Sequence, residues 1–171
     1  SLPTELVSGL PLFVVPLEIH LGDRTYADGV DVTPEEFYDI LRTGRETPTT
    51  SAPSPAAFLD VFTKAHQVST QVVCITLSSE LSATYASATE AIDLAKAALP
   101  GLDITLLDSR SAGTAQGLIA LDAARHAADG ESLLSVVEVI KRRISDTTLL
   151  GCLSSLDHLW RGGRVPRVFM W

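Results

Sequence analysis

Apolar positions along this 171-residue chain fall into short continuous runs separated by helical stripes. Leu12–Ile19 (LFVVPLEI) is an apolar run that predicts a buried strand, and Gly22-Asp23 predicts a turn into a short second strand through Tyr26. Thr33-Pro34-Glu35-Glu36 marks a helix start. Thr33 can cap, Pro34 suits the first helical position and Glu36 can close a capping box. That helix runs to about Arg42, and Gly44 ends it. Arg45–Pro55 is polar, holds three prolines and is expected to be an ordered loop. Ser54-Pro55 then starts a helix to about His66, with Phe58, Val61, Phe62 and Ala65 on one face. An alternation follows: strand Val72–Leu77, alanine-rich helix Leu81–Leu99, strand Ile104–Leu107, helix Ala112–Ala128 closed near Gly130, helix Glu131–Ile144 and strand Thr148–Leu153. A short helix, Ser155–Trp160, is stopped by Gly162-Gly163. Strands alternating with long helices predict an α/β fold, a mostly parallel sheet with helices on both faces.

Composition narrows the function classes. A hydrophobic content of 46% supports one domain with a real core. The formal net charge of −8 repels phosphate backbones, so no nucleic-acid partner is expected. Lys141-Arg142-Arg143 is the densest basic stretch and reads as the solvated end of a helix. Cys74 and Cys152 both sit in apolar runs and are expected to be buried free thiols in a reducing, cytoplasmic compartment. The four histidines have no zinc spacing, so no metal is expected, and no apolar run is long enough to span a membrane.

Three clusters of hydroxyls precede helices: Thr49-Thr50-Ser51-Ala52-Pro53-Ser54, Ser78-Ser79-Glu80-Leu81-Ser82-Ala83-Thr84-Tyr85, and Asp108-Ser109-Arg110-Ser111-Ala112-Gly113-Thr114. The last two directly follow strands. The C-terminal ends of parallel strands share one edge, where helix N-termini present unpaired N–H groups and a partial positive charge. Neutral hydroxyls there suit an oxyanion such as phosphate or carboxylate. Capping alone explains a single cluster, and Ser54 beside Pro55 reads as a cap. The second cluster holds more hydroxyls than one cap needs. Arg164, after Gly162-Gly163, either aims a guanidinium at an anion or is a solvated arginine beyond a helix end. No P-loop, G-x-G-x-x-G or G-x-S-x-G motif is present, so no cofactor is expected. The enzyme alternative is a hydrolase or acyl-transfer enzyme with Ser82 as nucleophile and His20 or His158 as base.

Four stretches resemble the DegV family of bacterial fatty-acid-binding proteins: Val15-Pro16-Leu17 with Tyr26 to Phe37, Thr50-Ser51-Ala52-Pro53-Ser54, Leu77 to Tyr85, and Leu159-Trp160-Arg161-Gly162-Gly163-Arg164-Val165. The resemblance implies a two-domain α/β fold that buries one long-chain fatty acid. The carboxylate would be held by Thr50 and Ser82, with Ser51, Ser79 and Arg164 as supporting groups. Such carriers do no chemistry themselves. They present the acyl chain to a separate fatty acid kinase, which makes an acyl phosphate for phospholipid synthesis. Residues 1–160 would be the N-terminal domain, and 161–171 the Gly-Gly-Arg break and the cut-short start of a second domain. That absent domain would remove one wall of the acyl tunnel, so self-association through exposed apolar surface is expected, and the chain alone is alternatively a fragment that no longer binds. Ala83 stands where the family usually has Gly, which would strain the turn if φ were positive there.

Overall fold

Two capping interactions set the helix starts that the sequence announces. The Thr33 N–H donates to Glu36 Oε2 at 2.8 Å, and the Glu36 N–H donates to Thr33 Oγ1 at 3.2 Å, the reciprocal capping box. Ser54 accepts from the Ala57 N–H at 3.2 Å, with Pro55 at the first helical position. The computed structural model describes residues 2–43, 47–153 and 155–165, and for residues 4, 157 and 158 the backbone alone. In chain order the elements are α1 (Thr4–Val7), β1 (Glu18–Leu21), β2 (Arg24–Ala27), α2 (Pro34–Thr43), β3 (Thr49–Ser51), α3 (Pro55–His66), β4 (Gln71–Thr76), α4 (Thr84–Ala98), β5 (Asp103–Asp108), α5 (Gly113–Ala128), α6 (Leu133–Asp146) and α7 (Asp157–Arg161). They divide into two compact units, the described residues of 1–15 with 54–149 and those of 16–53 with 150–171.

The larger unit is built on a parallel pair. β4 and β5 run in register from Gln71↔Asp103 to Thr76↔Asp108. Because successive side chains point to opposite faces, Val72, Cys74, Ile104 and Leu106 pack on Phe58 and Phe62 of α3 and on Ala88, Ala91 and Ala95 of α4. Val73, Ile75 and Leu107 face the other way, onto Ile119 and Ala123 of α5 and Val136 and Ile140 of α6. Both strands are therefore apolar on both faces, as a covered parallel pair requires. Helices do cover both faces, as expected.

In the smaller unit the strand order is β2-β1-β3, all antiparallel. Gly22 takes φ of 54° at the first of two turn positions between β1 and β2, where a tight hairpin demands a left-handed residue. Ile19, Leu21 and Val32 form the core, with Tyr26, Phe37 and Ile40 packed against them.

Several expectations are corrected. The mixed α/β class stands; among the described residues the parallel strands are β4 and β5, with an isolated parallel bridge at Asp28↔Val32, and β1, β2 and β3 pair antiparallel. The run Leu12–Ile19 yields strand only from Glu18, since Phe13 and Val14 are exposed and Val15 joins the helical layer on α3 and α4. The expected loop Arg45–Pro55 contains β3, whose polar Thr-Thr-Ser sequence hides it from a hydrophobic pattern. Thr148–Leu153 forms no strand: Leu150 is 89% exposed, and an apolar run becomes a strand only where a neighbour completes its ladder. Cys152 is exposed rather than buried, whereas Cys74 is half-buried in β4 and burial pushes its thiol up to about 12. Gly44, the expected helix end, and the terminal Val168–Trp171 lie outside the described residues.

Candidate functional site

The C-terminal edge of the β4–β5 pair gathers the second and third hydroxyl clusters. The two loops are tied together by the Ser78 N–H, which donates to the Ser111 carbonyl at 2.7 Å. Ser109, 1% exposed, accepts from the Ser111 N–H and donates to its carbonyl, both at 3.2 Å. Asp108, the last residue of β5, accepts from the Ser79 hydroxyl at 2.6 Å and the Ser79 N–H at 3.2 Å through Oδ2, and from the Arg110 N–H at 2.8 Å through Oδ1. Arg110 takes φ of 51°, and the Asx-type bond from Asp108 supports that left-handed turn. Burial alone lifts the Asp108 carboxyl; the Ser79 hydroxyl, the Arg110 and Ser79 N–H groups and the Arg110 charge together outweigh it and hold the group below its ordinary value.

Ser82 stands at the start of α4. Its hydroxyl lies 2.8 Å from Thr84 Oγ1 and accepts from the Thr84 N–H at 3.2 Å. The cap position is Ala83, which offers no side-chain acceptor, and the first helical N–H, that of Thr84, is taken by the Ser82 hydroxyl. Ala83 has φ of −72°, so the strain expected from replacing glycine does not arise. The cap position of α5 is also alanine, Ala112, again without a side-chain bond. A helix N-terminus presents several N–H donors and a partial positive charge, which suit an anionic acceptor. Ser82 meets a threonine hydroxyl and no histidine in these bonds. His20 is engaged with Thr25 and Ser51, and the His158 side chain lies outside the described residues.

The other unit carries the first cluster on β3. Thr50 pairs across from Ile19 and is exposed. Arg164 Nη2 donates to Thr50 Oγ1 at 3.4 Å and Nη1 to the Gly162 carbonyl at 2.9 Å. Gly163, with φ of 75°, lets the chain reverse after α7 so that the Arg164 N–H reaches the Leu159 carbonyl. Ser51 is used differently: its hydroxyl donates to Glu18 Oε2 at 2.8 Å and lies 2.8 Å from His20 Nε2. Of the sequence-derived residues in this unit, Thr50 and Arg164 are therefore brought together, while Ser51 is engaged across the sheet. His20 and Glu18 were not singled out for this role; their alternation with Ile19 and Leu21 was the available signal. A groove of about 380 Å³ lies between β2 and α2, lined by Tyr26, Asp31, Val32, Glu36, Asp39 and Ile40. Its three carboxylates oppose an anionic ligand. Among the described residues no His, Cys, Asp and Glu cluster has metal-binding geometry.

Comparison with known proteins places this geometry in context. The family described as "Uncharacterised protein, DegV family" matches residues 1–170. A DegV domain-containing protein of Caldanaerobacter subterraneus subsp. tengcongensis is 37% identical over 167 residues, 98% of this chain and 58% of that protein. A fatty-acid-binding DegV family protein from Thermus thermophilus is similar in structure, with a TM-score of 0.83 and 33% identity over 95% of this chain and 56% of that one. The fatty acid kinase (Fak) B3 protein of Streptococcus pneumoniae, loaded with linoleic acid, gives a TM-score of 0.79 and 26% identity over 91% of this chain and 54% of that one. This chain thus spans a little over half the length of the relatives it matches.

Proposed function

The chain belongs to the DegV family, and from that premise we propose that it takes part in binding a long-chain fatty acid by its carboxylate. Thr50 and Ser82 act as hydroxyl donors to the carboxylate, with Arg164 as a cationic neighbour of Thr50. The observation that carries this reading is the start of α4, where the Ser82 and Thr84 hydroxyls lie 2.8 Å apart beside a helix N-terminus whose cap residue, Ala83, has no polar side chain. Neutral hydroxyls and N–H groups hold a carboxylate while leaving it able to react. A separate fatty acid kinase then transfers a phosphoryl group from ATP to that carboxylate, giving acyl phosphate and ADP, and the carrier itself supplies no catalytic group. Similarity to a protein of a fatty acid kinase, loaded with linoleic acid, supports this role. Two free thiols support a cytoplasmic setting, and no helix among the described residues is long and apolar enough to cross a membrane.

Native mass spectrometry of the purified chain, before and after incubation with oleate, tests the proposal. A bound mass of a C16 or C18 fatty acid, lost in Ser82→Ala and in Thr50→Val, is the expected result. An unliganded mass at saturating oleate overturns it for this chain. Labelling of Ser82 by a fluorophosphonate would point instead to the enzyme alternative.

A further inference from the structure

His20 joins all three strands of the antiparallel sheet through its ring. Nδ1 lies 2.9 Å from Thr25 Oγ1 on β2, and Nε2 lies 2.8 Å from Ser51 Oγ on β3. Ser51 donates its single hydroxyl proton to Glu18 Oε2 at 2.8 Å. With that proton spent, Ser51 can only accept from the ring, so Nε2 carries a hydrogen. One direction of donation therefore runs from His20 Nε2 through Ser51 to Glu18. This direction also separates the pair from a nucleophile and its base, which would need the Ser51 proton pointed at a ring lone pair.

The position of these bonds matters because β3 is only three residues long. Pro48 and Pro53 flank it and donate no N–H groups. A strand with so few ladder bonds depends on side-chain links to keep its register. The register Glu18↔Ser51, Ile19↔Thr50, His20↔Thr49 sets Ser51 on the face of Glu18 and His20, and Thr50 on the opposite face. We propose that His20 is a positioning residue for Thr50: by gripping Ser51 it fixes β3 in the register that places the Thr50 hydroxyl beside Arg164. Ser51 is then part of the grip and not a ligand group. The inference rests on the reading of Thr50 as a carboxylate donor.

The test compares the whole chain with His20→Leu, His20→Gln, Ser51→Ala and Thr50→Val, reading amide hydrogen exchange across Thr49–Ser51 and oleate affinity by calorimetry. His20→Leu and Ser51→Ala are expected to speed exchange in β3 and to weaken oleate about tenfold, the loss of roughly one positioning hydrogen bond. His20→Gln keeps an amide donor near the Nε2 position and is expected to restore both readouts. If Ser51→Ala weakens oleate while β3 exchange stays slow, Ser51 is a ligand group and the proposal fails. If β3 loosens in His20→Leu and affinity holds, while Thr50→Val still abolishes binding, the positioning role fails and the reading of Thr50 survives. If Thr50→Val leaves affinity unchanged, the reading of Thr50 fails and takes the proposal with it. Should His20→Leu not fold, Ser51→Ala and His20→Gln decide the matter alone.

Discussion

Arg164 reaches back from the turn after α7 to place its guanidinium 3.4 Å from the Thr50 hydroxyl on β3. That is a long, neutral contact for an arginine, and it brings a cationic group beside the hydroxyl. Arg164→Gln is accordingly expected to weaken fatty acid binding by roughly fivefold, typical of an exposed charge contact. The difference should shrink as salt is raised. Calorimetric titration with oleate at two ionic strengths checks both points.

Ser79 and Asp108 make a second testable pair. In Ser79→Ala the carboxyl loses a hydroxyl donor, so its titration should move up toward the ordinary value of 3.8. A carboxyl held below its unfolded value stabilises the fold above that value, and the contribution disappears as pH falls through the folded pKa. The variant should therefore lose stability at neutral pH and differ less from the parent in acid. Carbon-detected NMR titration of Asp108 and urea midpoints on either side of pH 4 read these outcomes.

The corner between α5 and α6 responds to pH through His126 and Glu131. The Glu131 side-chain bond to His126 at 2.6 Å chiefly raises the histidine pKa. Glu131 is lowered first by the Ser135 hydroxyl and then by His126. The histidine contribution is fully present below its ordinary value of 6.5 and is lost as pH rises through its higher folded value. The glutamate contribution is present above 4.5 and is lost as pH falls through its lower folded value. Both act together between those two ordinary values. His126→Gln should flatten the alkaline side of a stability–pH curve and leave mid-alkaline stability nearly unchanged, as read by urea midpoints.

How much of this was legible in the sequence depended on what kind of signal each element carries. The α2 and α3 starts were readable because Thr33-Pro34, Glu36 and Ser54-Pro55 are local capping chemistry. β4 and β5 were readable because burial on both faces makes them continuously apolar. β3 was missed because its three residues are all hydroxylated and its partner, β1, lies far away in sequence. Thr148–Leu153 was misread for the opposite reason, an apolar run with no ladder. At the candidate site, residue type pointed to hydroxyl donors but not to their engagements. That Ser79 is bound to Asp108 and Ser51 to His20 and Glu18 depends on tertiary pairing.

Core packing in the larger unit should be intolerant of cavities. Phe58 and Phe62 are each 3% exposed, with ring centroids 6.0 Å apart. Phe62→Ala is expected to cost about 3–5 kcal/mol, measured by urea denaturation, because the alanine-lined face of α4 has little freedom to fill the space.

Thr76 offers the opposite sign. It is 2% exposed, and its hydroxyl has no hydrogen-bond partner among the described residues. Thr76→Val keeps the shape and removes an unsatisfied group, so stability should rise by about 1 kcal/mol in the same assay.

The two sheets also differ in how their partners find each other. β1 and β2 meet across a two-residue turn, a contact that a chain closes on a timescale of about 1–10 μs. Gln71 and Asp103 can pair only after all of α4 has been laid across the strands, and such distant closures are slow. A nascent chain would thus acquire its hairpin well before its parallel pair. Until the pair closes, the apolar edges of Val72–Ile75 stay open to neighbouring chains, which makes the interval before closure the period of greatest aggregation hazard.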